Sequence, residues 1–174
     1  MTTYPARPIG PTVLKELRTT DDAGRPMIPF ADDEGGAPLR CCLRRSEPGE
    51  QIALVSYAPL RRWAAETGAE PGAYDEQGPV FIHAGECGGP DGDGRPFAEA
   101  HRTVRRYSAE GHILGGELVE DPEGFDSAFQ NAFDDPDVAL VHVRAVEYGC
   151  FLYEVRRDTY EVRRDGEVRR DSRD

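Results

Sequence analysis

Residues 138–157 read VALVHVRAVEYGCFLYEVRR, the longest run in the chain that alternates apolar and polar side chains. Alternation with a period of two is typical of a β-strand with one buried face. β-Branched and aromatic residues flank positions 147–149, where a glycine accepts the backbone angles of a tight turn. The stretch therefore predicts a hairpin at the centre of the fold.

Further strands are predicted at residues 39–44, 51–57, 80–84, 103–108 and 112–119, each next to turn residues. The turn at Pro48 and Gly49 predicts a hairpin between residues 39–44 and 51–57. The turn at residues 109–111 predicts a second hairpin, between residues 103–108 and 112–119. In an extended strand at 39–44, Cys41 and Cys42 face opposite sides, so the two thiols cannot point into one site. The apolar run VFIHA at 80–84 is typical of a strand buried on both faces.

Two helices are predicted as well. Residues 121–133 repeat phenylalanine and alanine at three- and four-residue spacing, with Asp121 as the N-cap and Pro122 in the first turn. Residues 59–67 begin with a proline and stop before Gly68. Residues 12–19 are too few for periodicity to distinguish a helix from a strand.

Together these elements predict the α+β class: a mostly antiparallel twisted sheet or partly closed barrel of about six or seven strands, with one or two packed helices. The 174 residues suffice for one core, and we expect a single domain over residues 1–157, irregular in 1–38. Residues 158–174 continue a VRRD repeat with mixed charge and few apolar side chains, which predicts a disordered tail.

The charge balance, 33 acidic against 21 basic residues, gives a net charge of −12. Such a surface repels phosphate backbones and anionic lipid, which argues against nucleic-acid and membrane partners. The opening MTTYPARPIGPTV lacks the basic and apolar regions of a signal peptide, so we expect a cytoplasmic protein. Because thiols stay reduced in the cytoplasm, we expect the four cysteines to be free thiols or metal ligands in the first place, and disulfides only in the second.

Thiol and imidazole side chains on or beside the predicted strands are the candidates for metal binding: Cys42, His83, Cys87, His142 and Cys150. Their number and type suit tetrahedral zinc, with Cys42, His83, Cys87 and His142 as the ligand set. No C-x₂-C spacing is present, so a structural reading stays open. In that reading Cys41 and Cys150 are small core residues, and His83 is a hydrogen-bonded core histidine.

A catalytic interpretation uses the same side chains. Cys87 is then a nucleophile activated by a histidine, and His83 or His142 acts as general acid/base. Arg144 shares a strand face with His142 and is costly to bury without an anion; with Arg40 and Tyr148 it is a candidate for binding an anionic small molecule. A salt-bridged sheet face explains the same pattern equally well.

Three stretches carry a family resemblance: PLRCCLRRSEPGEQIALVSYAP at 38–59, GPVFIHAGEC at 78–87 and HVRAVEYGCFLYEVRR at 142–157. They resemble the small bacterial family called domain of unknown function 1203. In that family's P-C-R-x-C-L pattern, Pro38, Arg40, Cys42 and Leu43 match, and Leu39 stands where the first cysteine would be. This departure argues against a two-cysteine ligand pair on the strand. The resemblance implies no reaction, but it implies a shared site at Arg40, Cys42, His83, Cys87, His142 and Arg144.

The leading functional hypothesis from the sequence is a cytoplasmic enzyme or binding protein for small molecules, with a pocket lined by His83, Cys87, His142 and Arg144. The alternative is a non-enzymatic accessory protein with a structural Cys/His zinc site. A third hypothesis is a partner-binding module that uses the acidic surface and the arginine-rich tail.

Overall fold

A computed structural model describes residues 4–92 and 94–157. Within them lie three helices, α1 to α3, and nine strands, β1 to β9. In chain order these are α1 Pro11–Leu17, β1 Phe30–Asp32, β2 Pro38–Leu39, β3 Arg44–Arg45, β4 Glu50–Tyr57, α2 Pro59–Thr67, β5 Gly78–His83, β6 Arg102–Ser108, β7 Ile113–Val119, α3 Phe125–Asp134, β8 Val138–Ala145 and β9 Phe151–Arg156. The chain also forms two 3₁₀ turns, Gly72–Tyr74 and Pro122–Gly124.

The strands form two sheets, with orders β1-β4-β5-β2-β3 and β7-β6-β8-β9. All neighbours are antiparallel except β2 and β5, which run parallel. The α+β class is therefore confirmed, and neither sheet closes into a barrel. Splitting the strands between two sheets, with several strands only two or three residues long, gives nine strands where six or seven were predicted.

The hairpin predicted from residues 138–157 is confirmed as β8 and β9, in the four-stranded sheet. All of β8 from Val138 to Val143 is buried, because α3 covers one face of the sheet and Leu60 and Trp63 of α2 pack against the other. The hairpin of β6 and β7 is confirmed as well. The core between α3 and this sheet contains the side chains predicted from helical spacing: Phe125, Ala128, Phe129, Ala132 and Phe133.

Helix α3 begins later than predicted. The chain first makes the 3₁₀ turn Pro122–Gly124, and Asp121 caps neither element through its side chain. Helix α2 spans residues 59–67 as predicted, and Gly68 ends it in the left-handed conformation at φ 76°. Such an angle is costly for residues with a Cβ. Most of residues 12–19, which periodicity left undecided, form the helix α1.

The five-stranded sheet corrects two predictions. Strand β5 is not buried on both faces: Val80 and Ile82 are buried, whereas Phe81 is only partly covered. Strand β4 pairs with β1 and β5, so residues 39–44 do not form a hairpin with it. The segment folds back on itself as the short pair β2 and β3.

No helix in residues 4–92 or 94–157 is long and apolar enough to cross a membrane. The VRRD repeat of residues 158–174 lies outside the described residues, and the domain division at residue 157 stays a prediction.

Candidate metal centre

The chain between β2 and β3 places two adjacent thiols on one side. The Leu43 N–H donates to the Leu39 carbonyl at 2.9 Å, and Leu43 adopts φ 56°, which is uncommon for a residue with a branched side chain. In this turn the Sγ atoms of Cys41 and Cys42 lie 3.9 Å apart. The prediction that they face opposite sides is wrong, because it assumed an extended strand.

Parallel pairing carries the turn to the end of β5. Leu39 is in register with Phe81, and the Arg40 N–H donates to the Phe81 carbonyl at 2.9 Å. Two residues after this pair, the His83 N–H at the end of β5 donates to the Sγ atom of Cys41 in the turn, at 3.2 Å. Cys87 follows four residues after His83, at the start of the glycine-rich connection to β6.

Four ligand atoms converge at this point. The Sγ atoms of Cys41, Cys42 and Cys87 and a ring nitrogen of His83 all lie within 4.8 Å of one another. His83 Nδ1 is 3.3 Å from Cys41 Sγ and 3.8 Å from Cys42 Sγ. Zinc–sulfur bonds of about 2.3 Å at tetrahedral angles separate neighbouring sulfurs by about 3.8 Å. The cluster therefore has the dimensions of a four-ligand metal site.

Glu50 and Arg44 form a second layer behind the histidine. Glu50 Oε1 accepts hydrogen bonds from His83 Nε2 at 3.1 Å and from Arg44 Nη2 at 2.7 Å, and Glu50 Oε2 accepts from Arg44 Nη1 at 3.0 Å. The bond to Glu50 assigns the ring proton to Nε2, so the lone pair of Nδ1 faces the thiols. The hydrogen bonds from Arg44 lower the pKa of Glu50 to about 2.

The two adjacent thiols differ in acidity. The hydrogen bond from Cys41 lowers the pKa of Cys42 to about 6, with help from the Arg44 backbone N–H and the charge of Arg44. The same hydrogen bond, together with burial, raises the pKa of Cys41. Cys42 is thus the first thiolate of the cluster, and a thiolate is the form that binds metals.

Two clefts reach the cluster from the surface. One, of about 560 Å³, is lined by Cys42 together with Arg95 and Pro90. The other, of about 780 Å³, is lined by Cys41 and Cys87. Cys41 and Cys42 are buried, while His83 and Cys87 are partly exposed, so an ion has an entry path to a largely enclosed site.

Three of the four predicted metal ligands meet in this cluster, and His142 does not. Its side chain is fully buried between the rings of Tyr107 and Phe151, at centroid distances of 4.6 and 5.0 Å. Its Nε2 lies 3.6 Å from a Glu154 oxygen, and neither ring nitrogen has a hydrogen-bond partner. Burial lowers the pKa of His142, so the neutral ring is favoured. Cys41, read from the sequence as a core residue, supplies the fourth ligand atom.

The predicted anion-binding residues are spread over two places. Arg144 pairs with Glu76 at 3.1 Å and donates to the Gly149 carbonyl at 2.9 Å, so the chain itself supplies its carboxylate. The side chain of Tyr148 is 88% exposed. Arg40 is buried, donates from Nε to the Phe151 carbonyl at 2.8 Å, and its burial lowers its pKa to about 10.

Cys150, the remaining predicted candidate, is partly exposed and lies apart from the four-residue cluster. Its thiol contacts the Tyr148 carbonyl at 3.6 Å. Among the described residues, the cluster of Cys41, Cys42, His83 and Cys87 is the one group of histidine, cysteine and acidic side chains with metal-site dimensions.

Comparison with known proteins gives one match. The family described as protein of unknown function (DUF1203) matches residues 36–157, which include all four residues of the cluster. No curated protein and no solved structure matches the chain significantly. Because the match covers well over half of the chain, the protein belongs to the DUF1203 family.

Proposed function

We propose that this protein binds one zinc ion through Cys41, Cys42, His83 and Cys87, and that the ion has a structural role. The observation that supports the proposal is the convergence of three thiols and an imidazole within 4.8 Å. Three sulfur ligands favour zinc over magnesium or calcium, which prefer oxygen. Thiolate ligands require reduced cysteines, which the cytoplasm maintains, and we therefore place the protein there.

The number of ligands supports a structural role over a catalytic one. Four protein ligands complete a tetrahedron, whereas catalytic zinc sites usually keep one position for water or substrate. The enzyme hypothesis also needs His142 and Arg144 beside Cys87, and these residues have other neighbours, Tyr107 and Phe151 for His142 and Glu76 for Arg144. The non-enzymatic alternative therefore has the stronger support.

The position of the cluster explains what the ion would stabilise. Residues 84–101 connect β5 to β6 without a helix or strand among those that the structure describes. Connections of this length without secondary structure are uncommon in compact domains and usually have a functional role or are disordered. A zinc ion would tie the start of this connection, through Cys87, to the turn between β2 and β3.

Metal content and thermal stability test the proposal on the full chain. We expect about one zinc per chain, and loss of the zinc on chelation should lower the melting temperature. Free zinc at about 1,000 times its Kd adds about 4 kcal/mol to the stability of the protein that binds it. For a chain of this length, that corresponds to roughly 8–16 °C.

Matched cysteine variants separate the cluster from thiols in general. Cys87→Ser removes a cluster ligand, and Cys150→Ser removes a thiol of similar exposure outside the cluster. We expect Cys87→Ser to lose most of its zinc and Cys150→Ser to retain it. Equal zinc content in the two variants, or a wild-type protein whose melting temperature does not respond to zinc, would overturn the proposal.

A further inference from the structure

A separate cleft of about 430 Å³ lies where β2 and β5 approach the turn between β8 and β9. It combines guanidinium groups with apolar side chains, among them Arg40, Arg45, Arg102, Leu54, Phe81 and Tyr148. A cavity of this size is in the range of small-molecule sites, which pair apolar walls with a few polar groups. None of the four residues of the metal cluster lines it.

Arg40 is a buried cation without a carboxylate partner. Its side chain is 3% exposed, and it donates to the carbonyls of Phe151 and Pro38. Its two hydrogen bonds come from Nε and Nη1, and no acidic side chain in residues 4–92 or 94–157 forms an ion pair with it. Burial of an unpaired charge is expensive, so an anion in the cleft would supply the missing interaction.

The second buried guanidinium is also weakly paired. Arg102 donates to the carbonyls of Phe97 and His101, and its closest carboxylate, Glu99, is 3.8 Å away. Glu99 instead pairs closely with Arg45. Glu147, the one acidic side chain among the lining residues, pairs with His101. Arg40 and Arg102 are therefore left without a close carboxylate among the described residues.

The apolar wall of the cleft is partly exposed to solvent. Leu54 and Phe81 are cross-strand partners on β4 and β5, and the side chain of Leu54 is 52% exposed. Tyr148 adds a side chain that is 88% exposed. Large apolar side chains grouped on a surface mark binding sites more often than single ones do.

We propose that this cleft binds an organic carboxylate with an apolar body, such as a medium-chain fatty acid. The carboxylate would accept hydrogen bonds from Arg40 and Arg102, since a planar guanidinium matches its geometry. The apolar body would lie along Leu54 and Phe81. The apolar wall favours an anion that carries an apolar group over inorganic phosphate, which has none.

Calorimetric titration of the zinc-loaded full chain with octanoate tests the inference. Octan-1-ol is the control that has the same alkyl chain without the negative charge. Inorganic phosphate is the control that has negative charge without an alkyl chain. We expect octanoate to bind at one site, with both controls at least tenfold weaker. Equal binding of octanoate and octan-1-ol, or no binding of octanoate, would overturn the inference.

Two variants locate the site. Arg40→Gln should weaken octanoate at least tenfold, but this buried substitution can also disturb folding. Leu54→Glu therefore serves as the second variant, because it places a negative charge in the cleft from an exposed position. Its matched control is Leu118→Glu on β7, at a leucine that is 54% exposed and outside the cleft. Equal affinity of the two glutamate variants for octanoate would contradict the assignment.

Discussion

Replacing Glu50 by glutamine removes the charge that holds His83 in its ligand orientation. Glu50 receives hydrogen bonds from His83 Nε2 and from two Arg44 nitrogens. Glutamine keeps one acceptor oxygen, but its amide group is a donor and therefore cannot accept from the second Arg44 nitrogen. His83 and Arg44 then share one uncharged acceptor oxygen, so the imidazole loses the charged partner that raises its basicity toward a metal.

The expected effect on zinc affinity follows from these contacts. A hydrogen bond to a charged group contributes about 1.5–3 kcal/mol, and about 1.4 kcal/mol corresponds to a tenfold change in Kd. Partners of metal-bound histidines typically contribute 10–100-fold in affinity, which is the same range. The Glu50 side chain is 24% exposed, so water replaces part of the lost interaction. We therefore expect the lower half of that range, about 10–30-fold weaker zinc binding.

Competition with a chromophoric zinc chelator at neutral pH measures this change. Glu47→Gln is the matched control, because Glu47 lies three residues away and contacts Glu50 only through its backbone. We expect the control to bind zinc like the wild type. An unchanged Kd in Glu50→Gln, or an equal loss in both variants, would refute the role assigned to Glu50.

The remaining predictions concern stability and local order. Burial holds the pKa of His142 below its ordinary value of 6.5. Below pH 6.5 the unfolded chain therefore binds a proton that the native protein does not. As the pH drops below 6.5, the free energy of unfolding decreases by up to about 1.4 kcal/mol per pH unit. His142→Phe should flatten this slope in urea titrations of zinc-free protein, and an unchanged slope would contradict the assignment. Phe129→Ala should cost about 3–5 kcal/mol in the same assay, because the ring is fully buried, whereas the partly exposed Phe30→Ala should cost much less. Removal of zinc should speed hydrogen exchange at residues 84–92 and leave β8 protected; equal exchange in both states would exclude a role for the ion in ordering this connection.

Local patterns predicted the elements that are amphipathic and continuous in sequence. The β8–β9 hairpin, the β6–β7 hairpin and helix α2 follow from alternation, turn residues and a proline start with a glycine stop. The partition into two sheets could not be predicted this way, because it depends on the parallel contact between β2 and β5. That contact joins Leu39 to Phe81 across the whole of β4 and α2, and no local periodicity encodes it.

The candidate site shows the same limit. Cys42, His83 and Cys87 were identified by residue type, and the structure brings them together. Cys41 was missed because alternation was applied to residues 39–44, where the chain turns instead of extending. The signal that could have found it was the pair of adjacent cysteines itself, since a turn can point neighbouring side chains the same way. His142 was included because strand position alone does not show which sheet a residue faces.

X-ray absorption at the zinc edge, on the zinc-loaded full chain, reports the ligands of the ion itself. Coordination by Cys41, Cys42, His83 and Cys87 predicts three sulfur neighbours at about 2.3 Å and one nitrogen at about 2.0 Å. For the zinc that Cys87→Ser still binds, the sulfur count should fall by one, and in Cys150→Ser it should stay at three. A spectrum with only nitrogen and oxygen neighbours would contradict the proposed metal centre.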